Sequence, residues 1–271
     1  MNSLQLYFSQ PFAQHALLAA TLVAISCGLI APFVINRGMA FAVHGVSELA
    51  FTGAAAGLLL FNNPIIGALG GGVIVAGLIG LLGVRQRERD SSIGVILAFG
   101  LGLGVLLLSF YHGFATEATN ILFGNIFGVS SGQIDLLLGI GVVLIVAMMV
   151  LYRPLQFASI DPEVAEARGV PIRFLNVAFL LILALTVTEA AQIVGTLLVL
   201  SLAITPAAAA QRVTAKPAVM AVLSVVFALV ASAGGIVASL ASNTVKPSVF
   251  VTGISFGIYV ICRFGVARLR S

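Results

Sequence analysis

The sequence predicts an all-α fold: a polytopic transmembrane helical bundle of about nine spans, with eight or ten as alternatives. Two observations predict it. Of 271 residues, 60% are hydrophobic and only 8% are charged, where a soluble domain carries roughly 25% charged residues. Mean hydropathy is +1.17, more apolar surface than a soluble core hides. The apolar residues also gather into runs of about 18–22, the length that crosses a bilayer. There are 29 glycines and nine prolines, as suits close packing and broken helices in lipid. Trp is absent, so any interfacial aromatic belt comes from Tyr and Phe.

The runs lie, in order, at 14–35, 39–60, 64–84, 91–110, 134–152, 172–190, 193–211, 217–240 and 247–264. Arg37 closes the first. The second carries His44 and Glu48 near its middle. The segment Arg85-Gln-Arg-Glu-Arg-Asp90 separates the third from the fourth, and Arg153 ends the fifth. Between 172–190 and 193–211 there is almost no loop; Glu189 and Gln192 mark the proposed turn. Arg212 and Lys216 flank the next break, and Arg263, Arg268 and Arg270 end the chain. Glycines at 53 and 57, 67 and 71, 100 and 104, and 253 and 257 have the small-xxx-small spacing of close helix contacts.

Nine spans put all of these basic clusters on one side, which is then cytoplasmic. The loops at 61–63, 111–133 and 241–246 face outside and carry only Lys246 as a fixed positive charge. The N-terminus lies outside and the C-terminus inside. The net charge of +4 reflects basic inner loops rather than nucleic-acid binding. No basic segment precedes the first run, so it is read as a true span and not a cleavable signal. Cys27 and Cys262 lie in separate apolar runs and read as inert buried thiols. Residues 1–271 form one membrane domain.

The longest inner polar stretch, 153–171, contains a short helix with clear punctuation. Asp161 is an N-cap and Pro162 suits the first helical position. Glu163 and Glu166 lie toward the positive end of the dipole and Arg168 toward the negative end. Gly169 sits at the left-handed stop and Pro171 blocks continuation. A helix of about seven residues is not stable alone, so neighbouring spans or a partner protein must brace it. It is either an ordinary connector or a docking helix for a cytoplasmic subunit.

An ionisable side chain at bilayer depth costs at least ~2.5–3.5 kcal/mol. His44 and Glu48 are four apart, hence on one helix face, and imidazole plus carboxylate is a ligand set for divalent transition metals. They either bind a passing cation or hydrogen-bond each other to fix packing. Ser47, on the neighbouring face, offers a hydroxyl. Glu189 reads as solvated at a span end, with an outer-gate role as the alternative. His112 and Glu117 read as outer surface polarity or an entry funnel. Thr205-Pro206 interrupts a helix, as a static kink or a flexing point.

Four segments together resemble one family, the zinc/manganese/iron permeases of ATP-binding-cassette importers. Met39-Ala-Phe-Ala-Val-His44-Gly-Val-Ser-Glu48, following Arg37, looks like its second-span motif. Asp161-Pro-Glu-Val-Ala-Glu-Ala-Arg-Gly169, including Ala165, resembles its ATPase-coupling loop. Val194-Gly-Thr-Leu-Leu-Val-Leu-Ser-Leu-Ala-Ile-Thr-Pro-Ala-Ala-Ala-Ala210 is similar to its most recognisable span, and Asn120-Ile-Leu-Phe-Gly-Asn-Ile-Phe-Gly128 also fits. One position departs: the family usually has an Asp and, four residues on, a His, whereas here His44 and Glu48 exchange imidazole and carboxylate.

The resemblance implies a non-enzymatic transport subunit in a bacterial plasma membrane. It implies a homodimer with a two-fold central pathway, a cytoplasmic ATPase dimer docked at 161–170, and an extracytoplasmic metal-binding receptor. The chain itself has no P-loop: its two lysines, Lys216 and Lys246, do not follow glycine. No permanent cofactor is implied; a divalent metal is the cargo. Nitrogen ligation leans toward zinc, with manganese and iron open. The alternatives are a permease for a chelated or organic substrate, and an ion-gradient-driven carrier that works without an ATPase.

Overall fold

The computed structural model describes residues 10–82, 86–111, 120–121, 123–196, 199–242 and 245–270. All regular structure among them is helical. The helices are α1 (Pro11–Asn36), α2 (Ala40–Phe61), α3 (Pro64–Leu82), α4 (Gln86–Ser109), α5 (Ser131–Ile160), α6 (Pro162–Ala167), α7 (Ile172–Val194), α8 (Leu200–Ala203), α9 (Thr205–Val213), α10 (Pro217–Ser242) and α11 (Pro247–Arg270). A short 3₁₀ turn, Ile126–Gly128, precedes α5. Prolines open α1, α3, α6, α10 and α11, where the missing amide hydrogen costs nothing.

Among the described residues, six helices are long and apolar enough to cross a membrane: α1, α2, α5, α7, α10 and the Pro247–Gly265 part of α11. α3 and α4 contribute shorter apolar stretches, Pro64–Gly80 and Ile93–Ser109. The charged segment at 86–90 is helical and forms the first turn of α4, not a loop. The stretch 153–160 likewise continues α5 through Pro154, because Leu155 and Ala158 pack into the core.

The expected continuous helix at 193–211 does not form. α7 runs through Glu189 and Gln192 to Val194, so neither residue marks a turn. The chain then breaks at Gly195 (φ 99°), and only the short α8 and α9 follow, separated at Ile204 (φ −128°, ψ −51°). The hydropathy of this run is set by side chains, which are blind to the backbone break. Gly195, Thr196, Val199 and Ser201–Ala203 are buried, as irregular backbone at membrane depth requires. The Ser255 hydroxyl on α11 donates to the Ser201 carbonyl at 2.8 Å and satisfies part of it.

α7 and α1 form the middle of the bundle. α1 packs on α5 and α10, α7 on α3 and α5, and α2 on α3 and α4; α9 nestles among α1, α10 and α11. The outer faces of α4 and α5 present Val95, Phe99, Val143 and Val150, each more than half exposed. That perimeter suits hydrocarbon rather than water. Gly53 and Gly57 mesh with Gly67 and Gly71, and Gly100 and Gly104 receive Leu49 and Phe51. Gly253 and Gly257 meet nothing within 4 Å among the described residues, so the last of the four expected glycine contacts is not made there.

Candidate transport site

α2 enters the bundle at Ala40 and positions His44 and Glu48 one turn apart. At 1.5 Å per residue they stand about 6 and 12 Å along the axis from Ala40. The pair is therefore offset toward the Arg37 end of the helix rather than at its middle. The face beside it is kept lean: a β-carbon on Gly45 would meet Ile93 of α4 at 2.7 Å. Thr52 donates to the Gly100 carbonyl at 2.6 Å and fixes α2 against α4.

Glu48 is 4% exposed. Its Oε2 and Nδ1 of His44 are buried with no hydrogen-bond partner among the described residues. Those two atoms therefore make no mutual bond here, although a buried polar group without a partner is costly. Ser47 does not join them: it is fully buried, and its hydroxyl donates to the His44 carbonyl at 2.9 Å. No group of three or more His, Cys, Asp and Glu side chains gathers among the described residues. The pair offers one imidazole and one carboxylate, fewer than three metal-ligating side chains.

Glu189 lies elsewhere, on α7 facing α1 and α5. It is 1% exposed and both carboxyl oxygens lack a partner among the described residues, so the reading of a solvated span end is wrong. The α7 helix simply continues past it. Gly141 makes the room: a β-carbon there would lie 3.3 Å from Oε1, with Leu22 alongside. Pro206 is buried in the first turn of α9 and Thr205 starts that helix, so the predicted interruption is real.

A family profile described as the ABC 3 transport family matches residues 9–265. The chain belongs to the ABC 3 transport family. This permease is 34% identical over 241 residues to the manganese transport system membrane protein MntC of Halalkalibacterium halodurans, covering 87% of this chain and 82% of that protein. It is 27% identical over 257 residues to the high-affinity zinc uptake system membrane protein ZnuB of Haemophilus influenzae, covering 94% and 97%. Its fold matches PsaBC from Streptococcus pneumoniae in complex with Fab at a TM-score of 0.85 and 28% identity, over 97% of this chain and 96% of that one. It is a membrane transport subunit, not an enzyme.

In this permease the α6 segment is built as its residues dictate. Oδ1 of Asp161 accepts from the Val164 amide at 3.0 Å. Pro162 is the first helical residue and Gly169 has φ +82°. Ala165 is fully buried against the core, while Glu163, Val164, Glu166 and Arg168 are exposed. One apolar anchor thus pins a short, polar helix to the bundle. At the other end of the molecule a cavity of about 310 Å³ is lined by the amides of Asn62, Asn120, Asn125, Gln133 and Gln192. Glu189 is one helical turn from Ile193, which also lines it. Sequence reasoning missed this cavity because its amides come from four separate segments. His112 and Glu117 lie outside the described residues.

Proposed function

We propose that this ABC 3 permease is the membrane subunit of an ATP-driven importer of divalent transition-metal ions. His44 and Glu48 are transit ligands in that pathway. The observation that carries this is the buried His44 nitrogen and Glu48 oxygen, each without a partner, on one face of α2. A pathway ligand must bind well enough to draw the ion in and weakly enough to release it. Two ligands per chain, with water or a second copy completing the shell, meet that condition.

The remaining parts follow from family and charge. Two copies pair around a central pathway. Each crosses the membrane nine times, counting the broken α8–α9 segment as one crossing. The C-terminus and the Arg-rich ends lie in the cytoplasm and the N-terminus outside, in a bacterial plasma membrane. A cytoplasmic ATPase dimer docks on the exposed face of α6 through Asp161, Pro162, Glu163, Arg168 and Gly169, with Ala165 as its anchor. An extracytoplasmic receptor delivers metal at the amide-lined cavity, and Glu189 with the Thr205-Pro206 break forms part of the gate. Membership in an ABC family removes the reason to consider a carrier that works without an ATPase.

The imidazole nitrogen alone favours zinc. The relative named for manganese is 34% identical and the one named for zinc 27%, so manganese is the first metal to test. The experiment is uptake into proteoliposomes holding the permease, its ATPase and its receptor, with manganese, zinc and iron compared. ATP-dependent uptake lost in Glu48→Gln, with ATPase assembly intact, supports the assignment. Uptake that ignores ATP overturns the importer, and uptake unchanged by Glu48→Gln overturns the site.

A further inference from the structure

Arg37 joins three stretches of chain that are far apart in sequence. Its Nε donates to the Ser159 hydroxyl at 2.8 Å, and a terminal nitrogen donates to Oδ1 of Asn176 at 3.0 Å. The guanidinium carbon also stands 5.1 Å from the centre of the Phe179 ring. The Ser159 hydroxyl spends its proton on the Leu155 carbonyl at 2.6 Å, which leaves its oxygen free to accept from Arg37. Phe179 is fully buried and packs against Phe33 at 6.1 Å between ring centres. A planar guanidinium can make all three contacts at once; a lysine ammonium cannot.

The placement of these partners is what matters. Ser159 sits on the last turn of α5, two residues before the cap of α6. Asn176 and Phe179 sit on the first two turns of α7, just after α6. Arg37 therefore grips the helix that enters the α6 platform and the helix that leaves it. On its other side Arg37 caps α1 and opens the α1–α2 turn, and His44 follows it by seven residues, about one helical turn after α2 begins at Ala40. The α1–α2 turn is tight: Gly38 has φ +61° and the Met39 amide bonds to the Val34 carbonyl at 2.8 Å. The turn is thus a short, hydrogen-bonded link between Arg37 and the start of α2.

We propose that Arg37 is a positioning residue that makes the α6 platform and the His44/Glu48 pair move as one body. This rests on the reading of the chain as an ATP-driven permease. Without Arg37, nucleotide-driven movement of α6 continues, but the ligands of α2 no longer follow it.

The test compares metal moved with ATP hydrolysed in proteoliposomes holding the complete transporter and manganese as the probe. Wild-type uptake in the same vesicles tests the permease reading separately. With Arg37→Ala the ATPase rate stays within about twofold while manganese moved per ATP falls about tenfold, the size of an ordinary coupling between sites. Arg37→Lys, which keeps the charge over Phe179 but not the fork, falls between. A ratio unchanged in Arg37→Ala overturns the proposal. So does a fall of uptake and ATPase in strict proportion, which is what lost assembly alone produces. Should Arg37→Ala fail to assemble, Ser159→Ala combined with Asn176→Ala leaves the arginine in place and is judged by the same ratio.

Discussion

Gly57 of α2 packs directly on Gly67 of α3: a β-carbon on Gly57 would stand 2.6 Å from the Gly67 Cα. Backbone cannot yield as a side chain can, so Gly57→Ala forces the two helices apart. The expected cost is about 1–3 kcal/mol, typical of overpacking, read as a lower unfolding temperature of the purified permease. Gly253→Ala, whose β-carbon meets nothing within 4 Å, serves as the control and leaves that temperature unchanged.

On the proposed reading, His44 and Glu48 present imidazole and carboxylate in the reverse of the order the family resemblance implies. If the ligand set matters more than its direction along the helix, the double substitution His44→Asp with Glu48→His keeps uptake. His44→Asp alone leaves two carboxylates and no nitrogen. Uptake by that single variant falls at least about tenfold, equivalent to ~1.4 kcal/mol of barrier, and the double variant recovers most of it. Metal uptake at fixed ATPase content is the measurement.

Glu189 carries two buried oxygens without partners among the described residues, an expensive arrangement for any carboxyl group. Glu189→Gln preserves its volume and removes the acid. The variant is expected to unfold at a temperature no lower than wild type, yet to take up metal more slowly if, as proposed, Glu189 belongs to the gate. Thermal unfolding and uptake measured on the same preparation separate the two effects. Unchanged uptake would remove Glu189 from the pathway.

Gly169 holds φ +82° with nothing near the position of a β-carbon. Gly169→Ala is then strained by backbone alone, at about 1 kcal/mol. Asp161→Ala loses the helix cap for a similar cost. Both act on α6 and neither touches α2. The expected result is weaker binding of the ATPase by the purified permease, seen as a several-fold higher dissociation constant.

The α6 segment was legible in the sequence nearly to the residue because its signals are local: a capping Asp161, Pro162 after it, and Gly169 at its end. The glycine mesh of α2 and α3 was legible for the same reason, as a spacing. What escaped reading depends on distant chain. A hydropathy run cannot reveal that Gly195 turns the backbone out of helix, so 193–211 looked continuous. Glu189 looked like a turn because acids usually seek water; Gly141, 48 residues away, is what lets it lie buried within α7. Arg37 could be seen as a basic boundary, but not that Ser159 and Asn176 would receive it. The extension of α5 past Arg153 was hidden by Pro154, which normally warns of a helix end.

That extension gives α5 a length of 30 residues, about 45 Å, against roughly 30 Å of hydrocarbon. The helix outreaches the apolar layer and carries α6 on its far end like a lever arm. A tilt of about 5° along such a rod displaces its tip by roughly 4 Å. On the proposed reading, a small tilt of α5 within the bundle is a larger displacement of α6, and a displacement imposed at α6 is a smaller rotation within the bundle. Pro154 is part of that rod, and the buried Leu155 and Ala158 beyond it keep the end of the rod packed against the bundle.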